Sequence, residues 1–350
     1  MIRRAGSIVA SAAVPVAVAA VCLLLGVGIL AALGYPAGQV LSIVGTKILW
    51  PADVDRRLAR WAIVLQDATP ILFTGLAITV AFRAAVWNIG AQGQYILGAI
   101  AATAAGIHLR LPPALLIPAV LLSSLVAGAI FAAVAAVLET NRRVPVVLST
   151  LLLNFVALEL VRYLIQGPMQ ESGGKLQSDL IAASAFLPLI PGTRLHIGFL
   201  IALASAALIA FTLRWTTFGF RLRIVGENAT AARFAGIAVP RVAVLTMALS
   251  GALAGLAGGI EIAGVTHQLQ SGQAAAGVGF TGIAVALLGR LTASGTIAAA
   301  IFLGFLNTAA RILEAEMGVP FAAGQAMQGM IVLLMLVLGQ LHRRPGTIND

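Results

Sequence analysis

Charge is scarce in this sequence. Of 350 residues only 10% are Asp, Glu, Lys or Arg, while 60% are hydrophobic. That balance excludes an ordinary soluble domain, in which about a quarter of residues are charged. Lysine is scarcer still, with Lys47 and Lys175 alone. Neither stands in a phosphate-cradling G-x-x-x-x-G-K-S/T loop, and the run "GGKL" at Gly173 to Leu176 does not satisfy that form. Cys22 is the single cysteine, so no internal disulfide forms and a small packing residue is the expected role. His108, His196, His267 and His342 are scattered over separate segments, which gives no metal-ligand spacing and no H-E-x-x-H helix. No serine or cysteine sits in a nucleophile motif. These absences describe a chain that is not an enzyme and calls for no cofactor or metal.

What the sequence has in quantity is long apolar runs. A bilayer core requires roughly 20 apolar residues per helix, and runs of that length recur along the chain. They predict an all-α integral membrane protein, a polytopic bundle of about ten transmembrane helices. The spans are Val9–Leu33, Asp67–Val86, Ile89–Leu109, Ala114–Leu138, Val146–Ile165, His196–Arg214, Val242–Ile262, Ala276–Gly289, Gly295–Leu313 and Phe321–Leu341. The first has an apolar stretch of about 25 residues, too long for a signal-peptide core, and is read as a retained helix. The eighth is short and holds Gly277, Gly279 and Gly282, so a broken or re-entrant segment is expected there.

Arginine placement sets the predicted orientation. With ten crossings and the N-terminus inside, 13 cations, from Arg3 and Arg4 to Arg343 and Arg344, fall on the cytoplasmic side with a net charge of +10. The outer segments carry nine cations and a net charge of +2. Both termini are therefore expected in the cytoplasm of a bacterial-type plasma (inner) membrane, and the basic excess needs no nucleic acid to explain it. Two outer segments are long. In the first, "ADVDRRLARW" at Ala52 to Trp61 suits a short helix lying on the membrane surface. The second, Gly167 to Leu195, reads as an exterior loop that either meets a partner or serves as a solvated connector.

The longest inner segment, "TTFGFRLRIVGENATAARFAGIAVPR" at Thr216 to Arg241, is the most informative. Asn228 fits an N-cap, Ala229 to Ala235 favour helix and Gly236 suits the C-terminal cap. So short a helix is marginal alone in water and is expected to dock on something.

Here the chain resembles the permease subunits of ABC importers of the branched-chain amino acid, ribose and nucleoside type. Their G-x-N-x-x-A-A-x-x-x-G-I pattern falls on Gly226, Asn228, Ala231, Ala232, Gly236 and Ile237. Their N-I-G-A-E/Q-G-Q motif falls on Asn88 to Gln94. "LSTLLLNFVA" at Leu148 to Ala157, "RLHIG" at Arg194 to Gly198 and "GFTGIAVALLGR" at Gly279 to Arg290 follow in family order. The set is most similar to the larger permease of simple sugar and nucleoside importers. Where the family often has Asn-Glu ahead of "VLST", this chain has Pro145 and Val146. The resemblance implies a single permease domain over residues 1–350, with residues 216–241 as its coupling segment. It also implies a separate ATP-binding cassette ATPase, a second permease that is a related chain rather than a copy of this one, and an external solute-binding protein. On this reading Gly226, Asn228, Ala231, Ala232, Arg233 and Gly236 meet the ATPase.

Polar groups inside the spans are amides rather than charges. Asn88, Gln92 and Gln94 in "WNIGAQGQ" either line the translocation path or brace helices through hydrogen bonds, and Trp87 reads as an interfacial anchor. Asn154, with Thr150 one turn earlier, and Asn307 are expected to point away from lipid. Phe280 joins the candidate path residues because a phenyl ring can stack on a cargo ring, although packing is the ordinary role of such a side chain. Amides without carboxylates suit a small neutral polar solute, nucleoside ahead of simple sugar. A secondary transporter driven by an ion gradient is the alternative, and Glu159 is expected to pair with Arg162. Finally, Gly251, Gly255 and Gly259 stand four apart and form a smooth face for close helix approach, within the chain or between subunits.

Overall fold

The computed structural model describes residues 24, 26–272 and 277–341, and these are almost wholly helical. A helical stretch over residues 26–32 is followed, among the described residues, by α1 Ala37–Ile43, α2 Val54–Arg83, α3 Ala91–His108, α4 Pro113–Arg142, α5 Val146–Ile165, α6 Gly198–Trp215, α7 Thr217–Glu227, α8 Ala229–Phe234, α9 Val239–Glu261, α10 Val278–Leu288, α11 Ala293–Met317 and α12 Phe321–Leu341. Among the described residues six helices are long and apolar enough to cross a bilayer. They correspond to the second, fourth, fifth, sixth, seventh and ninth expected spans, while α3 and α12 are helical over the third and tenth. Most of the first expected span, with Cys22, lies outside the described residues.

Helix α10 replaces the eighth span with only 11 residues. At 1.5 Å per residue that is roughly 16 Å, about half of a hydrocarbon core. It is a half-helix, as its three glycines suggested. The surface helix expected at Ala52–Trp61 is instead the start of α2, which continues without a break to Arg83. No breaker stands between Trp61 and Asp67, and Pro70 is accommodated inside the helix. The hydroxyl of Thr69 donates to the Leu65 carbonyl at 2.7 Å, and that of Thr74 to the Pro70 carbonyl at 3.1 Å.

The chain divides into two compact units, residues 1–64 with 305–350 and residues 65–304. In the first, Leu30, Val40, Leu313 and Val319 form a buried cluster joined by Val27, Tyr35 and Met317. Lys47 pairs with Glu316 at 2.6 Å, and the Arg57 guanidinium lies 4.2 Å from the Trp50 ring centre.

The second unit is built around α3, α4 and α9, whose backbones nearly touch. A methyl group on Gly255 would overlap the Ser124 carbonyl, and one on Gly251 would overlap the Gly128 carbonyl and the Ala132 methyl. One on Gly98 would overlap the Gly255 backbone, and one on Gly258 the Tyr95 carbonyl. The glycine stripe thus serves contacts within the chain. In lipid, where apolar burial gives no net drive between helices, such close approach supplies dispersion and Cα–H···O contacts.

The segment between α5 and α6 is tied down rather than loose. The backbone N–H of Ile181 donates to the His267 carbonyl at 2.9 Å, Leu187 to Ala263 at 2.8 Å and Ala182 to Gly106 at 3.0 Å. His196, in the loop ahead of α6, accepts from the Gly198 N–H through Nδ1 at 3.1 Å. His267 lies just past α9 and stacks on Phe186 at 3.7 Å. Burial, and then the nearby His267, push the His196 pKa down from its ordinary 6.5 to about 4. Burial lowers that of His267 as well.

Two outcomes follow from this packing. Gly255→Ala is expected to destabilise the protein by about 1–3 kcal/mol through overpacking. Gly329→Ala, where nothing stands within 4 Å, is expected to be neutral or slightly stabilising. Thermal denaturation in detergent distinguishes them, and equal melting temperatures for the two variants would contradict the packing argument. The second outcome concerns pH. Between about 4 and 6.5 the unfolded His196 binds a proton that the folded one refuses, so stability falls as pH drops through that window and this contribution is flat above it. His196→Gln should flatten the slope, and an undiminished slope would assign the effect to other groups.

Candidate functional site

The polar side chains singled out in "WNIGAQGQ" converge where α2 ends and α3 begins. Helix α2 closes with Ala85 in the left-handed region at φ 56°, and the Val86 N–H returns to the Ala81 carbonyl at 3.0 Å. This turn delivers Asn88 into the protein. Asn88 and Gln94 exchange two amide hydrogen bonds of 2.9 Å each. Asn88 Nδ2 also donates to Ser250 Oγ on α9 at 2.9 Å, and Ser250 donates to the Ala77 carbonyl on α2 at 2.7 Å. Asn88 Oδ1 further accepts from the Gly90 N–H at 2.9 Å. One pair of amides therefore fastens α2, α3 and α9 together.

Asn154 on α5 works in the same way from the opposite side. Its Oδ1 accepts from the Gly93 N–H at 2.8 Å and its Nδ2 donates to the Ile89 carbonyl at 3.0 Å. Thr150 lies one turn away, with its hydroxyl on the Val146 carbonyl at 2.7 Å. Gly90 and Gly93 leave room for these two residues, since a methyl at either would lie 2.9 Å from Thr150 Cβ or from Asn154 Oδ1. Gln92 accepts from the Gly279 N–H at 2.7 Å and so holds the first turn of the half-helix α10 against α3.

Asn88, Gln92, Gln94, Thr150 and Asn154 are thus all buried and brought together around the N-terminus of α3. The hydrogen bonds described run among them, to Ser250 and to backbone, the geometry of a brace. Phe280, next to Gly279, is 46% exposed. Asn307 is half-buried on α11 and belongs to the other unit. Trp87 is exposed, with its ring 4.7 Å from that of Phe82. Glu159 and Arg162 pair at 2.7 Å on an exposed face.

The second group of candidate residues lies in the arginine-rich segment. Asn228 caps α8, its Oδ1 accepting from the Ala231 N–H at 2.9 Å. Gly236 closes the helix at φ +77°, a conformation that favours glycine. Ala231, Arg233 and Gly236 are exposed, but Ala232 is fully buried within the chain. Gly226 ends α7 with its Cα against the backbone of Arg83 and Ala84.

Three features escaped the reading of the sequence. Ser250 was hidden inside a glycine stripe that spoke of packing. His196 and His267, far apart in sequence, meet in space. Phe234, at the end of α8, is 90% exposed. Its signal was present as a lone large apolar side chain among arginines, alanines and glycines.

A multi-pass helical bundle, with an amide-braced half-helix in one unit and a capped, exposed helix beside clustered arginines, defines a membrane transport subunit. The family described as "Branched-chain amino acid transport system / permease component" matches residues 61–338, and the chain belongs to that family. A guanosine ABC transporter permease protein of Bacillus subtilis is 33% identical over 89% of this chain and 94% of its own length. A glucose ABC transporter permease protein of Haloferax volcanii is 36% identical over 78% of this chain and 75% of its own. A second guanosine ABC transporter permease protein of the same Bacillus is 28% identical over 70% of this chain and 79% of its own. No solved structure matches the chain. These relatives are permease subunits, which are not themselves enzymes.

The bracing geometry sets a measurable expectation. Asn88→Leu leaves the Gln94 amide, the Gly90 N–H and Ser250 short of partners and should destabilise the protein by about 1–3 kcal/mol, whereas Phe280→Ala should leave its melting temperature unchanged. A stable Asn88→Leu protein would show that the paired amides are dispensable for the fold.

Proposed function

We propose that this chain is a permease subunit of an ABC importer that passes a nucleoside across the plasma membrane, with ATP hydrolysis supplied by a separate subunit. The observation that carries the reading is the 33% identity to a guanosine permease, extended over nearly the full length of both chains. Burial supports it, because among the described residues no Asp, Glu, Lys or Arg is buried, while Asn, Gln, Ser and Thr are. An interior of that kind suits a neutral polar cargo and offers no buried carboxylate for a proton relay. A simple sugar is the second cargo, on the strength of the glucose permease relative.

The single permease domain operates with the arginine-rich segment in the cytoplasm, both termini on that side, and Thr216–Arg241 as its coupling segment. Asn88, Gln92, Gln94, Thr150 and Asn154 brace the wall of the path, and Phe280 faces it; Asn307, in the other unit, is a separate candidate for cargo contact. On the cytoplasmic side Gly226, Asn228 and Gly236 shape the docking element, and Ala231, Arg233 and Phe234 touch the ATPase. Ala232 supports them from beneath, since it is fully buried. The partners are the ATPase, an external solute-binding protein and a second permease. Two different guanosine permease proteins of one organism both resemble this chain, which favours a related second permease over a second copy.

Uptake of labelled guanosine into vesicles holding this chain, the second permease and the ATPase should require internal ATP and the external binding protein. Uptake driven by a proton or sodium gradient alone would count against the proposal. Phe234→Asp should lower co-purification of the ATPase by about tenfold or more, the loss expected for a central interface anchor. Undiminished recovery of the ATPase would remove Phe234 from the contact.

A further inference from the structure

We propose that Arg83 is a positioning residue that transmits movement of the coupling segment to helices α10 and α11; the inference rests on the docking role of that segment. Three observations meet at this side chain. Arg83 ends α2, and its backbone is pressed directly against Gly226 at the end of α7, where a methyl group would overlap the Arg83 carbonyl. Its guanidinium Nε donates to the Leu291 carbonyl at 2.8 Å, across a sequence separation of 208 residues. Leu291 and the preceding Arg290 form the turn between α10 and α11, and both are non-glycine residues at positive φ, 53° and 54°. Strained backbone of that kind persists only where its surroundings hold it, and it gathers at elements that switch.

Arg83 therefore has the coupling segment on its backbone and a strained turn on its side chain. One turn earlier on the same helix, Thr79 meets Thr296 near the start of α11 at 3.1 Å. Five residues later the chain reaches Asn88 and the amide brace. A push on α7 arrives at Arg83 without compressible side chains in between, and the guanidinium hands it to the half-helix and to α11. The bond to Leu291 is made by Nε, so a methionine, of similar length but without a donor, removes it. A lysine keeps the charge and reaches as far, but lacks the planar, fixed donor geometry of arginine.

The test uses the complete transporter in vesicles and measures guanosine moved per ATP hydrolysed. Arg83→Met should retain the ATPase and its hydrolysis while the transport-to-hydrolysis ratio falls about tenfold, within the range typical of coupling between distant sites. Arg83→Lys should fall less. An unchanged ratio in either folded variant, or a parallel fall of uptake and hydrolysis, would overturn the proposal. If the methionine variant does not assemble, the lysine variant alone decides, by the same ratio. Should Phe234→Asp leave ATPase docking intact, the docking role fails and this proposal with it. An unchanged ratio with Phe234-dependent docking sinks only the role of Arg83.

Discussion

Backbone contact among α3, α4 and α9 is the constraint on which the second unit depends. Gly98, Gly128, Gly251, Gly255 and Gly258 lie where any side chain would strike a neighbouring carbonyl or Cα. In a soluble core water adds a drive of its own by forcing apolar groups together. In lipid that drive is missing, so fit itself must hold helices in place. Close approach also brings short polar side chains within reach of backbone on other helices. Ser250, set among the glycines of α9, bonds the Ala77 carbonyl only because its helix lies so near α2.

That proximity explains why the amides are braces. A polar group at membrane depth must find partners, and Asn88, Gln94 and Asn154 find them in each other and in backbone freed where helices end. The turn at Ala85–Gly90 leaves the Ile89 carbonyl and the Gly90 and Gly93 N–H groups outside helical pairing, and the amides of Asn88 and Asn154 close them. Gln92 does the same for the half-helix α10. Permeases of this family act with companions, and the exposed Phe234 and the buried Ala232 divide the short helix α8 into an outward face and an inward one.

Much of this was readable without coordinates, and unevenly so. Apolar runs between polar breaks gave the helices, because a bilayer demands a fixed length and closed backbone hydrogen bonding. The capped helix after Asn228 was legible because both caps are local chemistry. The charges of Ala52–Trp61 suit a surface helix, but no breaker follows Trp61 and α2 runs straight through. The loop between α5 and α6 looked free, since nothing in its glycine and polar composition announces backbone bonds to Gly106, Ala263 and His267.

Sequence by itself determined that this chain lives in a membrane, that it carries no ATP-binding loop, and that it bears the local signatures of a permease. Each is a property of residues near one another along the chain, where length, charge and capping act. Tertiary structure decided which partners those residues meet: Asn88 with Ser250, His196 with His267, Arg83 with Leu291. Such pairings join segments up to about two hundred residues apart. The four-residue glycine spacing in α9 announces close approach but not the partner, which packing in three dimensions selects.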